Sequence, residues 1–240
     1  MPGGLPGLGR VEIGWRQARP GRFCLNVATP FTRNTPMTLP SHHPGLDATD
    51  ARHAQLAPSP WVLRFAPLIA PAASVLDVAC GSGRHVRLLA ERGHAVHAVD
   101  RDAQAVAPLQ AIAQVRVADP EAGDWPYATQ AFGGVIVANY LWRALLPRIV
   151  AAVAPGGVLI YETFALGNAS VGKPGNPDFL LRPGELLDLV RPELRVVAYE
   201  DGYVEAPKPA FVQRVCAVRE PMPAHHAEAG TAASPAKYNL

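Results

Sequence analysis

Cysteine is scarce in this 240-residue chain: Cys24, Cys80 and Cys216 are the only three, odd in number and far apart. That spacing argues against a disulfide framework and against a CxxC metal site. Long apolar runs are missing as well. None approaches the roughly 20 residues of a membrane span, and the N-terminus shows no charged head followed by an apolar signal core. A soluble, cytoplasmic protein with no membrane partner is the expectation. A dominant charge is also lacking, with 22 Lys and Arg against 20 Asp and Glu.

What is present is enough apolar content, 49%, to bury one full core, so one domain with tails is expected. Residues 1–36 carry Gly and Pro at short intervals, with Arg10, Arg16, Arg19, Arg22 and Arg33 against the single acid Glu12. A segment of that composition does not readily build a packed element and reads as a disordered N-terminal extension. A mitochondrial targeting segment would also be Arg-rich, but PGGLPGLG works against the amphipathic helix it needs. Residues 221–240 read as a second disordered tail. Its pair His225 and His226 has no third ligand to make a metal site.

Between the tails, residues 37–220 hold sixteen Lys and Arg against eighteen Asp and Glu, a net charge of −2. Such a core is a poor binder of phosphate backbone, so nucleic acid is disfavoured as a partner.

The hydrophobic period switches repeatedly along this core. Ser74–Ala79, Ala95–Val99, Val115–Ala118, Gly134–Ala138 and Val158–Phe164 read as strands. Ser82–Arg92, Ala103–Ala113 (interrupted by Pro108) and Leu141–Val153 read as helices, and Gly93 is a stop signal. Ala154-Pro155-Gly156-Gly157 reads as a turn. Helices alternating with buried strands predict an α/β fold with a mainly parallel sheet covered on both faces. Leu194–Val204 and Phe211–Arg219 are joined by a short link, as in an antiparallel hairpin.

In an open parallel sheet, ligands bind beyond the carboxyl ends of the strands, where the strand order reverses. The turn Ala79-Cys80-Gly81-Ser82-Gly83 falls at such an end, where glycines let backbone approach a ligand and the next helix presents its positive N-terminus. Asp100 ends the neighbouring strand, where a carboxylate can accept from both hydroxyls of a ribose. The pair predicts an adenosine-containing ligand. A dinucleotide fingerprint, GxGxxG, is broken because Val86 stands at the third glycine, so the turn alone leaves nicotinamide and S-adenosylmethionine sites both open. Cys80 reads as small packing.

From about residue 60 to 220 the chain resembles the class I S-adenosylmethionine-dependent methyltransferases. VLDVACGSG is similar to the family's first motif, with Asp77, Gly81 and Gly83 in place and Ala79 substituting its first glycine. AVHAVDRD resembles the second, with Asp100 as ribose acid. VADPE puts Asp119 where an acid often receives the adenine amino group, and VIVANY and VAPGGVLIYE follow in register. NYLWRALLP and ETFALGNASVGKPGNPDFLLRPGEL resemble small bacterial methyltransferases of the tellurite-resistance-like group. The resemblance implies a Rossmann-like, doubly wound, seven-stranded sheet ending in an antiparallel hairpin. It also implies S-adenosylmethionine as cofactor and a methyl transfer to a small-molecule acceptor.

On that resemblance, the cofactor-binding residues are Asp77, Ala79, Gly81, Ser82, Gly83, Arg84, Asp100, Arg101, Asp119, Asn139 and Tyr140. Carbonyls around Ala79 and Gly81 would accept from the amino group of the methionine moiety. Amides near Gly83 and the Arg84 side chain would receive its carboxylate, and Arg101 would cover the adenine face. Asn139 and Tyr140 would sit where donor and acceptor meet. Displacement at an activated sulfonium mainly needs two reactants held together away from water, so no catalytic triad is required and none is seen.

Glu162–Pro183 is long and rich in Gly and Pro, as expected of a lid over an acceptor pocket. Arg143, Glu162, Asn168, Lys173 and Phe179 are candidates to line that pocket, against ordinary capping or surface roles. His85 reads as solvent-facing or close to the cofactor rather than as a base. Two rival functions stay open: a nicotinamide-dependent oxidoreductase, and a non-catalytic S-adenosylmethionine-binding or RNA-associated module.

Overall fold

Seven strands form one sheet in the order β3-β2-β1-β4-β5-β7-β6. A computed structural model describes residues 57–123, 125–221 and 238. The expected extension at 1–36, Cys24, His225 and His226 lie outside the described residues, as does nearly all of the expected C-terminal tail.

The strands are β1 (Ser74–Val78), β2 (Ala95–Asp100), β3 (Gln114–Val117), β4 (Phe132–Ala138), β5 (Val153–Phe164), β6 (Arg195–Val204) and β7 (Ala210–Val218). The pairs from β3 through β5 are parallel, whereas β7 runs antiparallel to both β5 and β6. The expected parallel sheet with a reversed last strand is therefore what forms. Both sheet faces are covered, because alternate strand residues feed two separate cores. Leu76, Val78, Val135, Val137, Leu159 and Tyr161 build one. Val75, Val96, Ala98, Ile136, Val158 and Ile160 build the other. This period-2 division is what buries a central strand on both sides.

Helices α1 (Pro60–Phe65), α2 (Arg84–Glu91) and α3 (Ala103–Val106) pack on the second core, and α4 (Leu146–Ala151) and α5 (Glu185–Val190) on the first. The sequence pattern had named neither α1 nor α5. Each is only six residues long, too short for a helical period to emerge. The α1 start is nevertheless encoded: Ser59 Oγ accepts from the N–H groups of Trp61 and Val62, and Pro60 occupies the first turn.

Proline and glycine account for the other departures. The helix expected over 103–113 stops at Val106 and continues as 3-10 turns through 107–111, because Pro108 has no N–H to donate. The helix expected over 141–153 begins as a 3-10 turn at Arg143–Leu145 and is α-helical only from Leu146. The expected turn at 154–157 lies inside β5 as an irregularity, the pairing with β4 jumping from Phe132↔Val153 to Gly134↔Val158. Among the described residues, no helix is long and apolar enough to cross a membrane.

Candidate active site

The strand order reverses between β1 and β4, and the carboxyl ends of β1, β2 and β4 bring Ala79, Asp100 and Asn139 to one edge of the sheet. A cleft of about 1140 Å³ opens there. It collects Asp77, Ala79, Gly81, Ser82, Arg84, Asp100, Arg101, Asp119, Asn139 and Tyr140 from segments far apart in sequence.

Backbone conformation shapes the floor. Ala79 has φ +54° and Gly81 φ +53°, so the chain turns sharply after β1 through two left-handed residues. A Cβ on Gly81 would meet no atom within 4 Å, which leaves its Cα bare to the cleft. Gly83 behaves differently and corrects the expectation that its amide receives a ligand. It does not line the cleft, and its N–H donates to the Cys80 carbonyl at 3.0 Å. A Cβ there would come within 2.4 Å of the Leu109 side chain, so this glycine serves close helix packing.

Asp100 ties the floor together. Its Oδ2 accepts from Gly81 N–H at 2.7 Å and its Oδ1 from Asp102 N–H at 2.9 Å. Each oxygen keeps a second lone pair for a ligand. Asp119 Oδ1 accepts from Glu121 N–H at 3.0 Å, which fixes the turn after β3.

Asp77 is 1% exposed, and its Oδ2 is buried with no hydrogen-bond partner among the described residues. Burial pushes its carboxyl up to about 8, Arg84 opposing and Asp100 adding to the rise. His85 is buried at the second position of α2 and also lines the cleft, which corrects a solvent-facing reading. Its Nε2 accepts from Ser59 N–H at 3.1 Å, and burial, assisted by the Arg84 charge, lowers it to about 3. Burial raises the Cys80 thiol far above its ordinary value, which leaves it an inert wall group.

The five residues expected to line an acceptor pocket do not line this cleft. Arg143 forks onto Glu185 and also donates to the carbonyls of Asp178 and Leu180. Glu162 is buried against Arg214 at 3.2 Å. Asn168, 1% exposed, donates to the Pro174 carbonyl and accepts from Phe211 N–H. Lys173 and Phe179 are exposed. The expected lid is likewise stitched down: Leu181 N–H donates to Phe164 O and Leu166 N–H to Leu181 O.

Arg87, Gln104 and Glu121 also line the cleft, although the sequence reading had not named them. Arg87 was within reach, since it lies one helical turn beyond Arg84. Val86, at the missing third glycine, is fully buried in the core.

Residues 75–157 match the sequence model of the family described as methyltransferase domain. That stretch is similar to a methyltransferase domain. No curated protein matches the sequence. Solved structures that share the fold include TehB from Haemophilus influenzae, at TM-score 0.58 and 18% identity, covering 72% of this chain and 66% of that one. A TehB-like S-adenosylmethionine-dependent methyltransferase from Corynebacterium glutamicum gives TM-score 0.53 and 17% identity over 72% and 94% of the two chains. An S-adenosylmethionine-dependent methyltransferase from Methanosarcina mazei gives 0.54 and 13% over 69% and 100%. The matched residues span the segment that builds the cleft, from β1 into β5. The likeness to TehB covers slightly less than two thirds of TehB itself.

Proposed function

We propose that this chain transfers the methyl group of S-adenosylmethionine to a small-molecule acceptor. The observation that carries the reading is the partnerless, buried Asp77 oxygen in a cleft whose floor is a bare-backbone turn tied to Asp100. A buried polar atom without a partner is costly unless a ligand group meets it.

The residues fit the cofactor. Asp77 and the carbonyls of the Ala79–Gly81 turn would hold its ammonium, and Arg84 its carboxylate. Asp100 would take the ribose hydroxyls and Asp119 the adenine amino group, with Arg101 beside the base. When bound, S-adenosylmethionine supplies a methyl group already activated on a sulfonium sulfur. The chain's own part is to fix the acceptor in line with that methyl and exclude water.

A small acceptor is supported by charge. Asp100, Asp102, Asp119 and Glu121 outnumber Arg84, Arg87 and Arg101 around the cleft, which suits a cationic ligand over a polyanion. His85 is neutral with Nε2 already engaged, and Tyr140 keeps its proton because burial raises its phenol. The proposed acceptor is therefore a nucleophile that reacts without deprotonation by either group.

The test is titration calorimetry of the full chain with S-adenosylhomocysteine and with NADH, repeated on Asp100→Ala. Binding of the first alone, lost in the variant, supports the reading; binding of NADH alone overturns it. Tritium transferred from methyl-labelled S-adenosylmethionine into the low-molecular-weight fraction of a cell extract supports the small acceptor. Label found only in RNA or protein removes it.

A further inference from the structure

The turn that follows β4 is held by residues that do not line the cleft. β4 ends at Ala138, and Asn139 then takes the left-handed conformation at φ +58°. Asn139 and Tyr140 both line the cleft. Asn adopts that conformation more readily than most residues, but it persists only where the surroundings fix it.

Two consecutive residues of β5 supply that fixing. Asn139 N–H donates to the Glu162 carbonyl at 2.9 Å, and Tyr161 Oη donates to the Tyr140 carbonyl at 2.8 Å. The first bond extends the β4–β5 register, in which Ala138 pairs with Glu162. The second is independent of the sheet ladder. A phenylalanine at 161 would keep the strand and its packing and make no such bond.

Neither support is free to drift. Tyr161 is fully buried in the first core with Val135, Val137 and Leu159. Glu162, its neighbour in β5, has its carboxylate 3.2 Å from Arg214, whose guanidinium meets Glu200 at 3.3 Å and lies 6.0 Å from the Trp61 ring. A buried phenol needs a hydrogen-bond partner, and this one finds it in the backbone of the cleft wall. We propose that Tyr161 is a positioning residue: its phenol O–H fixes the Tyr140 carbonyl, holds the left-handed turn, and so sets where Asn139 and Tyr140 stand against a ligand that Tyr161 never touches. The choice of ligand for the test rests on the S-adenosylmethionine reading above.

Full-length wild type and Tyr161→Phe are compared by amide hydrogen exchange without ligand and by titration with S-adenosylhomocysteine. Exchange at residues 139–142 should quicken by about five- to tenfold in the variant while β4 and β5 stay protected, and the ligand should weaken by about three- to tenfold. Val135→Ala, which loosens the same core farther from the turn, is the control. It should lower the melting temperature more than Tyr161→Phe does, yet leave exchange at residues 139–142 and the affinity within about twofold of wild type. If Tyr161→Phe leaves either turn exchange or affinity unchanged, the proposal is overturned while the cofactor reading stands. It is overturned too if both variants weaken binding in proportion to their lost stability, because Tyr161 would then act only as core. If wild type binds no S-adenosylhomocysteine, the cofactor reading falls, and faster exchange confined to residues 139–142 would still support Tyr161 as the residue that holds the turn.

Discussion

Gly81 donates its backbone N–H to Asp100 Oδ2 at 2.7 Å, locking the turn after β1 to the end of β2. The acid proposed to hold the ribose therefore also holds the floor beneath it. Asp100→Asn can present its carbonyl oxygen to Gly81, whereas Asp100→Ala leaves that N–H without its partner. Calorimetry should show S-adenosylhomocysteine weakened in both, by about a hundredfold or more in the Ala variant and less in the Asn variant. Equal losses would mean that Asp100 acts through its charge alone.

Ala79 and Gly83 offer opposite substitutions in one turn. Ala79 is held at φ +54°, where a Cβ costs about 1–2 kcal/mol, partly offset by glycine's greater freedom in the unfolded chain. Ala79→Gly should raise stability by up to about 1 kcal/mol in urea unfolding. Gly83→Ala should lower it by about 2–4 kcal/mol, since the new methyl strikes Leu109 at a backbone angle that alanine resists. Leu109→Ala should cost less in the Gly83→Ala background than in wild type, because the cavity it leaves accommodates that methyl.

His85 contributes to the acid limb of the stability curve. Its value falls from 6.5 to about 3 on folding, so the unfolded chain binds the extra proton first as pH drops. The stability it contributes is full above pH 6.5 and is lost as pH falls toward 3. In His85→Gln, which retains an acceptor for Ser59 N–H, melting temperature should be flatter across that window. A slope identical to wild type would place the acid sensitivity elsewhere.

Arg143 acts as a clamp on the connection after β5. It meets Glu185 Oε1 at 2.7 Å and satisfies two backbone carbonyls. Burial opposes ionisation of Glu185, but the Arg143 hydrogen bonds win and hold its carboxyl below the ordinary value. Arg143→Ala should cost about 2–3 kcal/mol in urea unfolding, moderated by partial exposure of the pair. Arg143→Lys should recover less than half, because one ammonium cannot serve the fork and both carbonyls together.

Legibility in the sequence followed length and repetition. The strands were readable because buried parallel strands are dense runs of β-branched residues, such as SVLDV and FGGVIVA. The cleft was readable because its residues sit at strand ends, and strand ends follow once the strands are known. Asp77, Asp100 and Asp119 each close or interrupt an apolar run, which announces them. The connection after β5 was not readable. Its Gly and Pro content suggested a mobile cover, but the isolated pairing of Ala165 with Leu181 and the hydrogen bonds from Arg143 and Asn168 hold it down. Those contacts join residues many positions apart, and no local pattern encodes them.

Asp77 should couple cofactor binding to protons. Its carboxyl rises from 3.8 in the unfolded chain to about 8 in the folded one, so its contribution to stability is full below pH 3.8 and is lost as pH climbs toward 8. At neutral pH the free cleft therefore holds a mostly protonated acid. An ammonium placed beside it favours the carboxylate, so binding should expel close to one proton at pH 7 and tighten as pH rises from 6 toward 8. Titrations of S-adenosylhomocysteine in buffers of different ionisation enthalpy count that proton directly. 5′-Deoxy-5′-methylthioadenosine, which has no ammonium, should release none, and Asp77→Asn should abolish the release seen with S-adenosylhomocysteine. A wild-type titration whose heat is the same in every buffer would mean that the ammonium does not meet Asp77, and that the partnerless oxygen answers to some other group.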